Sequence, residues 1–170
     1  MFLPQSKVPD VAREMVQELT SSGDLETNTP HEVQLDLEAV LRQYLRTEQE
    51  IITQARDTLA TRGLAPSDYP RVLKNLAEQR GVKVAEDAMD YVLDQLSEML
   101  LNSGNVEEVY VEDNELRRKL RAPLRKQVNV EPEVDRSVRR PVKNVVEEAG
   151  TVWEIEYRRM LDDIRRRRGL

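Results

Sequence analysis

The side chains best equipped for chemistry in this sequence are its arginines. Arg117, Arg118, Lys119, Arg121, Arg125 and Lys126 make one basic run. Arg136, Arg139, Arg140 and Lys143 make a second, and Arg158, Arg159, Arg165, Arg166, Arg167 and Arg168 a third. Guanidinium groups at this density bind carboxylates or phosphates through charge-assisted, often bidentate, hydrogen bonds. Elements that carry them side by side can track a nucleic-acid backbone. The same chain offers an internal competitor. Residues 82–115 hold one basic and ten acidic side chains, whereas 116–170 hold sixteen basic and nine acidic. An acidic helix with Glu86, Asp87, Asp90 and Asp94 can therefore lie against the basic ones and orient their packing. Arginines near helix C-termini also answer the helix dipole.

Little else in the sequence is reactive. The chain has no cysteine, which removes disulfides, thiolate nucleophiles and cysteine-ligated zinc. One histidine, one tryptophan and one phenylalanine leave little material for a histidine-rich metal centre, a Ser/His/Asp triad or a base-stacking platform. His31 falls in the first turn of a capped helix, where an exposed position is expected. Glu48, Glu50, Glu131 and Glu133 can be drawn as a carboxylate cluster, but a ferritin-like centre also needs two Glu-x-x-His motifs. Solvated helix faces account for these glutamates. Glu48 is the exception, because it falls on the apolar seam between Leu45 and Ile52; an arginine partner or a snorkelling side chain is expected there. The glycines stand alone at helix ends and form no phosphate-binding loop. No enzyme activity, cofactor or metal is expected.

Helical periodicity organises the 170 residues. Ser6 is a cap for a helix with Val8, Val11, Met15, Val16 and Leu19 inward, stopped between Thr20 and Gly23. Thr29, Pro30 and Glu32 read as N-cap, first-turn proline and the glutamate of a capping box, opening a long helix to about Thr61 that closes at Gly63. Ser67 caps a short helix ending at Gly81. A further helix runs from about Ala85 to Leu101. Val106 to Val111 alternate weakly and have no evident pairing partner, so a loop is expected. Asp113 starts a helix with Leu116, Leu120 and Leu124, which Pro123 should kink or end. A valine-rich helix near 134–146 carries Pro141. Gly150, Thr151 and Glu154 then open a last helix, with Trp153 and Tyr157 as its anchors beside Leu161 and Ile164. The expectation is an all-α fold of six or seven packed helices.

The two halves repeat one pattern. Ser22-Gly23 and Glu26 correspond to Ser103-Gly104 and Glu107, while Leu37, Leu41 and Leu45 correspond to Leu116, Leu120 and Leu124. Tyr69, Leu73 and Gly81 meet Tyr157, Leu161 and Gly169. The reading is a tandem duplicated helical unit with two pseudo-repeats, residues 1–83 and 84–170, the second ending in a basic helix. Thr151-Val152-Trp153-Glu154 with Tyr157, Arg158-Arg159 and the closing Arg168-Gly169 resembles the terminal signature of the bacterial domain-of-unknown-function family numbered 507. Leu116, Arg117, Leu120, Glu133 and Val134 resemble that family's preceding segment. The likeness is best over 85–170, with the first half as a diverged copy. It implies a small, mainly helical bacterial protein and carries over no catalytic residue.

The formal charge of -6 favours solubility and opposes binding DNA by charge alone. Met1 to Val8 lacks the pattern of a secretory signal, and there is no apolar run of about 18 residues, so a cytoplasmic protein without membrane insertion is expected. The functional expectation is a protein-interaction or scaffold module whose C-terminal half meets an unknown protein partner. Its alternative is nucleic-acid binding over the basic surface of 116–168. A homo-oligomer remains open.

Overall fold

The computed structural model describes residues 2–128 together with 158, 159, 161–163, 165 and 166. Among them it is all-α apart from one pair of two-residue strands. The order is α1 (Val8–Ser21), β1 (Leu25–Glu26), α2 (Pro30–Arg62), α3 (Tyr69–Gln79), α4 (Ala88–Asn102), β2 (Glu108–Val109) and α5 (Asp113–Val128). The described residues of 158–166 are helical, in line with the expected last helix. The expected valine-rich helix, Trp153 and Tyr157 lie outside the described residues. Among the described residues no helix is long and apolar enough to cross a membrane.

Most helix limits follow from local chemistry, and the caps are less simple than the sequence suggested. Ser6 does not cap α1. A single 3-10 turn, Gln5–Lys7, precedes it, and Pro9 occupies its first turn. At the other end Gly23 adopts φ 79°, which lets the Asp24 amide donate back to the Leu19 carbonyl at 3.0 Å. Pro30 starts α2 as expected, but the Thr29 side chain makes no capping bond. The Thr29 amide instead donates to Thr27 Oγ1 at 3.0 Å, so the capping box is replaced by a turn upstream. Gly63, at φ 61°, ends the helix. At 33 residues α2 extends about 50 Å.

That length lets α2 serve two cores. Its first half, through Val33, Leu37, Leu41 and Leu45, packs with α1, α4 and α5. α1 lies on α2 and α5, and α4 lies on the same two helices. Met15, Leu19, Leu93, Leu96, Leu116, Leu120 and Leu124 are at most 1% exposed in this four-helix core. It draws on residues from both sides of position 83. The second half of α2, through Ile51, Ile52, Ala55 and Leu59, closes over Tyr69, Val72, Leu73 and Ala77 of α3 and over Val84.

Ser97 is the misfit of the main core. It is buried, and its hydroxyl has no hydrogen-bond partner among the described residues. An orphaned buried hydroxyl costs more than its removal. Ser97→Ala is therefore expected to raise stability by about 1 kcal/mol, read as a higher urea midpoint at an unchanged slope.

Two further sequence expectations are corrected. Val106 to Val111 is not wholly a loop, because β2 pairs antiparallel with β1, Leu25 opposite Val109 and Glu26 opposite Glu108. Glu107 N donates to Glu26 O and Tyr110 N to Asp24 O, both at 2.8 Å, which extends the ribbon beyond its two paired residues. Pro123 does not end α5, which continues to Val128. The proline removes one backbone bond at a cost of about 3 kcal/mol. Leu116, Leu120 and Leu124, all at 0% exposure, hold the helix against the core on either side of it.

Candidate functional site

α5 presents six of the ten described basic residues of 116–170, and four of them face carboxylates from other elements. Arg121 Nη2 lies 2.9 Å from Asp90 Oδ1, and Arg117 pairs with Asp94 one turn along α4. Lys119 pairs with Asp24 at the start of the ribbon, and Lys126 reaches Glu14 of α1 at 3.1 Å. Arg118 pairs within α5 with Glu115, its Nε donating to Oε2 at 3.0 Å. Arg125 is exposed. The acidic side of α4 thus lies along the basic side of α5, the internal arrangement that the charge asymmetry allowed.

The pairs differ in strength. Asp24 and Lys119 are the most covered, with side chains 14% and 17% exposed, and Ser22 Oγ adds a bond to Asp24 Oδ2 at 2.5 Å. Hydrogen bonds from Lys119 and Ser22 hold the Asp24 carboxyl below its ordinary range. The Arg118 bond does the same for Glu115, and Glu115 in turn raises Arg118. The remaining pairs are solvent-exposed, where such contacts contribute about 0 to 1 kcal/mol and are screened by salt. Sequence reading missed the Asp24–Lys119 pair because its members lie 95 positions apart.

Of the third basic cluster, Arg158 is exposed and Arg159, Arg165 and Arg166 are half-buried. Arg167 and Arg168 lie outside the described residues, as do Arg136, Arg139, Arg140 and Lys143. His31 is exposed.

Glu48 is a second titratable centre. It is 3% exposed on α2, between the two cores, and accepts a hydrogen bond from Phe2 N at 2.8 Å. The Phe2 ring stands edge-on to Tyr44, with centroids 5.6 Å apart, and the Tyr44 hydroxyl donates to Lys83 O at 2.9 Å. Burial pushes the Glu48 carboxyl up, against the opposing effects of the Phe2 amide and Arg165. Burial also raises Tyr44 and Tyr69, and Glu48 adds to both shifts. Arg165 of the third basic cluster is thus close enough to act on the Glu48 charge. Glu38, also buried, was missed by sequence reading; it lies one turn before Arg42, which reaches it at 3.0 Å, and it accepts from Gln34 Nε2 at 3.2 Å.

Neither centre assembles a reactive constellation. Among the described residues no group of three or more histidine, cysteine, aspartate or glutamate side chains is placed to hold a metal ion. A groove of about 580 Å³ runs along α2 past Gln5, Arg42, Arg46, Gln49, Thr53 and Asp57. A second, of about 400 Å³, lies between α3 and α4, beside Lys74, Val82 and Tyr91. Glu48 lines neither.

The fold and its ion pairs define an all-α protein in which one long helix joins a four-helix core to a smaller one. The family described as Protein of unknown function (DUF507) matches residues 1–170, and the chain belongs to that family. The match covers the first half as well as the second, whereas the resemblance in the sequence was best over 85–170. No curated protein matches the chain.

Proposed function

We propose that this chain is a non-enzymatic protein-interaction module of the bacterial cytoplasm that engages an acidic protein partner through its C-terminal half. The observation that carries this reading is the internal pairing of α5. Arg117, Lys119, Arg121 and Lys126 already face Asp94, Asp24, Asp90 and Glu14, so a phosphate backbone would have to displace four intramolecular partners. A protein partner can use Arg125 and Arg158, both exposed, through charge-assisted bonds from its carboxylates. The test is capture of partners from nuclease-treated bacterial lysate, repeated with Arg125 and Arg158 changed to glutamine. Loss of a reproducible protein partner at unchanged helicity is expected. Retention of nucleic acid alone, with affinity falling steeply as salt is added, would favour the nucleic-acid reading.

The module is built, on this reading, from two copies of a helix–strand–helix unit, α1–β1–α2 and α4–β2–α5. Support comes from the burial pattern. At an offset of 81, Val8, Val11, Ala12, Met15, Val16 and Leu19 correspond to Met89, Val92, Leu93, Leu96, Ser97 and Leu100, and every one is buried. The two strands pair with each other. Ser97 then occupies the position that Val16 fills in the first unit.

A further inference from the structure

The outward face of α2 has a pattern that its own fold does not use. Ala39, Arg42, Arg46, Thr53, Asp57 and Ala60 are all exposed and recur at three- and four-residue steps, so they lie on one side of the helix. The groove of about 580 Å³ follows the middle of this face. Its two ends carry opposite charge. Arg42 and Arg46 stand toward the N-terminal end and Asp57 toward the C-terminal end. Arg46 and Asp57 have no ion-pair partner among the described residues, while Arg42 shares the buried Glu38.

We infer that this face is where two copies of the chain meet, their α2 helices antiparallel about a two-fold axis between Gln49 and Glu50. The pattern is self-complementary about that point. Reversing the helix sets Arg42 opposite Asp57, Arg46 opposite Thr53 and Ala39 opposite Ala60. In a two-fold interface each such pair occurs twice, so one favourable charge pairing on the sequence becomes two in the dimer. A parallel arrangement would instead set Arg42 and Arg46 against themselves. The alanines at both ends admit close approach of the backbones, and the contact spans about 32 Å of helix from Ala39 to Ala60. The pairing uses none of the arginines of the C-terminal half, so the inference stands whether or not those arginines engage an acidic partner.

Sedimentation velocity of the full chain over a range of concentrations tests it, with far-ultraviolet circular dichroism checking the fold of each variant. The wild type is expected to dimerise reversibly. Asp57→Arg faces Arg42 of the other copy and Thr53→Arg faces Arg46; each should weaken the dimer about tenfold or more. Thr53→Glu should tighten it, because it supplies Arg46 with a carboxylate. Both positions are exposed and outside both cores, so the fold should survive. A chain that stays monomeric at every concentration, or a dimer that ignores all three substitutions, overturns the inference.

Discussion

Cutting the chain between Lys83 and Val84 is expected to give two pieces that fold together and not apart. The main core takes Val11, Met15, Leu19, Leu37 and Leu41 from one side of the cut and Val92, Leu93, Leu96, Leu116 and Leu120 from the other. Full burial of one such side chain is worth about 1.5 to 3 kcal/mol. A whole domain has only about 5 to 15 kcal/mol to lose. Residues 1–83 alone would expose the faces that α4 and α5 cover, and they would also lose Val84 from the second core. Circular dichroism should show weak helicity and no cooperative melt for either piece, and a gain of helicity with a single melt on mixing. A fragment 1–83 that melts cooperatively on its own at the temperature of the whole chain would contradict the shared core. The pseudo-repeats would then be independent units.

Glu48 should make the protein more stable in mild acid than at neutral pH. Its folded carboxyl titrates above the ordinary glutamate value of about 4.3, because burial disfavours its charge. Between the unfolded and the folded value the native state binds more protons, so stability falls as pH rises through that window and stays lower above it. Asp24 and Glu115 act in the opposite sense. Their folded values are depressed, so their contribution is present above about pH 4 and is lost as pH falls through those depressed values. Maximum stability should therefore lie on the acid side of neutrality. Glu48→Gln keeps an oxygen for the Phe2 amide and removes the buried charge. It should flatten the fall in stability that begins above the ordinary glutamate value and leave the variant more stable than wild type once Glu48 is ionised. Glu48→Ala leaves the Phe2 amide orphaned, at about 1 to 3 kcal/mol with the cost of a cavity added. Denaturation midpoints from mild acid to neutral pH decide the matter. A wild type that gains stability across that range, with Glu48→Gln following it, would show that burial does not control this carboxyl.

The long helix was legible because its signals are local. Pro30 marks the start of α2, Gly63 the left-handed end, and the intervening leucines and isoleucines the buried face. Gly23 and Gly63 work in the same way, through φ values of 79° and 61° that other residues adopt at a cost. The ribbon was not legible because its pairing is not local. Leu25 and Glu26 are too short a run to alternate, and their partners lie more than 80 positions away. Of the kink or end that a local rule predicts at Pro123, the end does not occur, because burial of Leu120 and Leu124 on either side holds the helix. Of the candidate site, the sequence disclosed the basic runs and the acidic helix that opposes them. It did not disclose which carboxylate meets which arginine, since that depends on the facing register of α4 and α5. The seam position of Glu48 was readable from its place between Leu45 and Ile52. Its hydrogen-bond partner was not, because Phe2 lies 46 positions away.

Sharing α2 between two cores also sets a hierarchy of amide exchange with solvent. Opening the smaller core can expose the amides near Leu59, and opening the four-helix core those near Val33, each without the other. Amides between Leu45 and Ile52 belong to the stretch where both cores end, with Glu48 between them. They are freed only when both sets of contacts are lost together. In deuterated solvent the slowest protons of the helix should thus sit at its middle, and their exchange should report the free energy of unfolding the whole assembly.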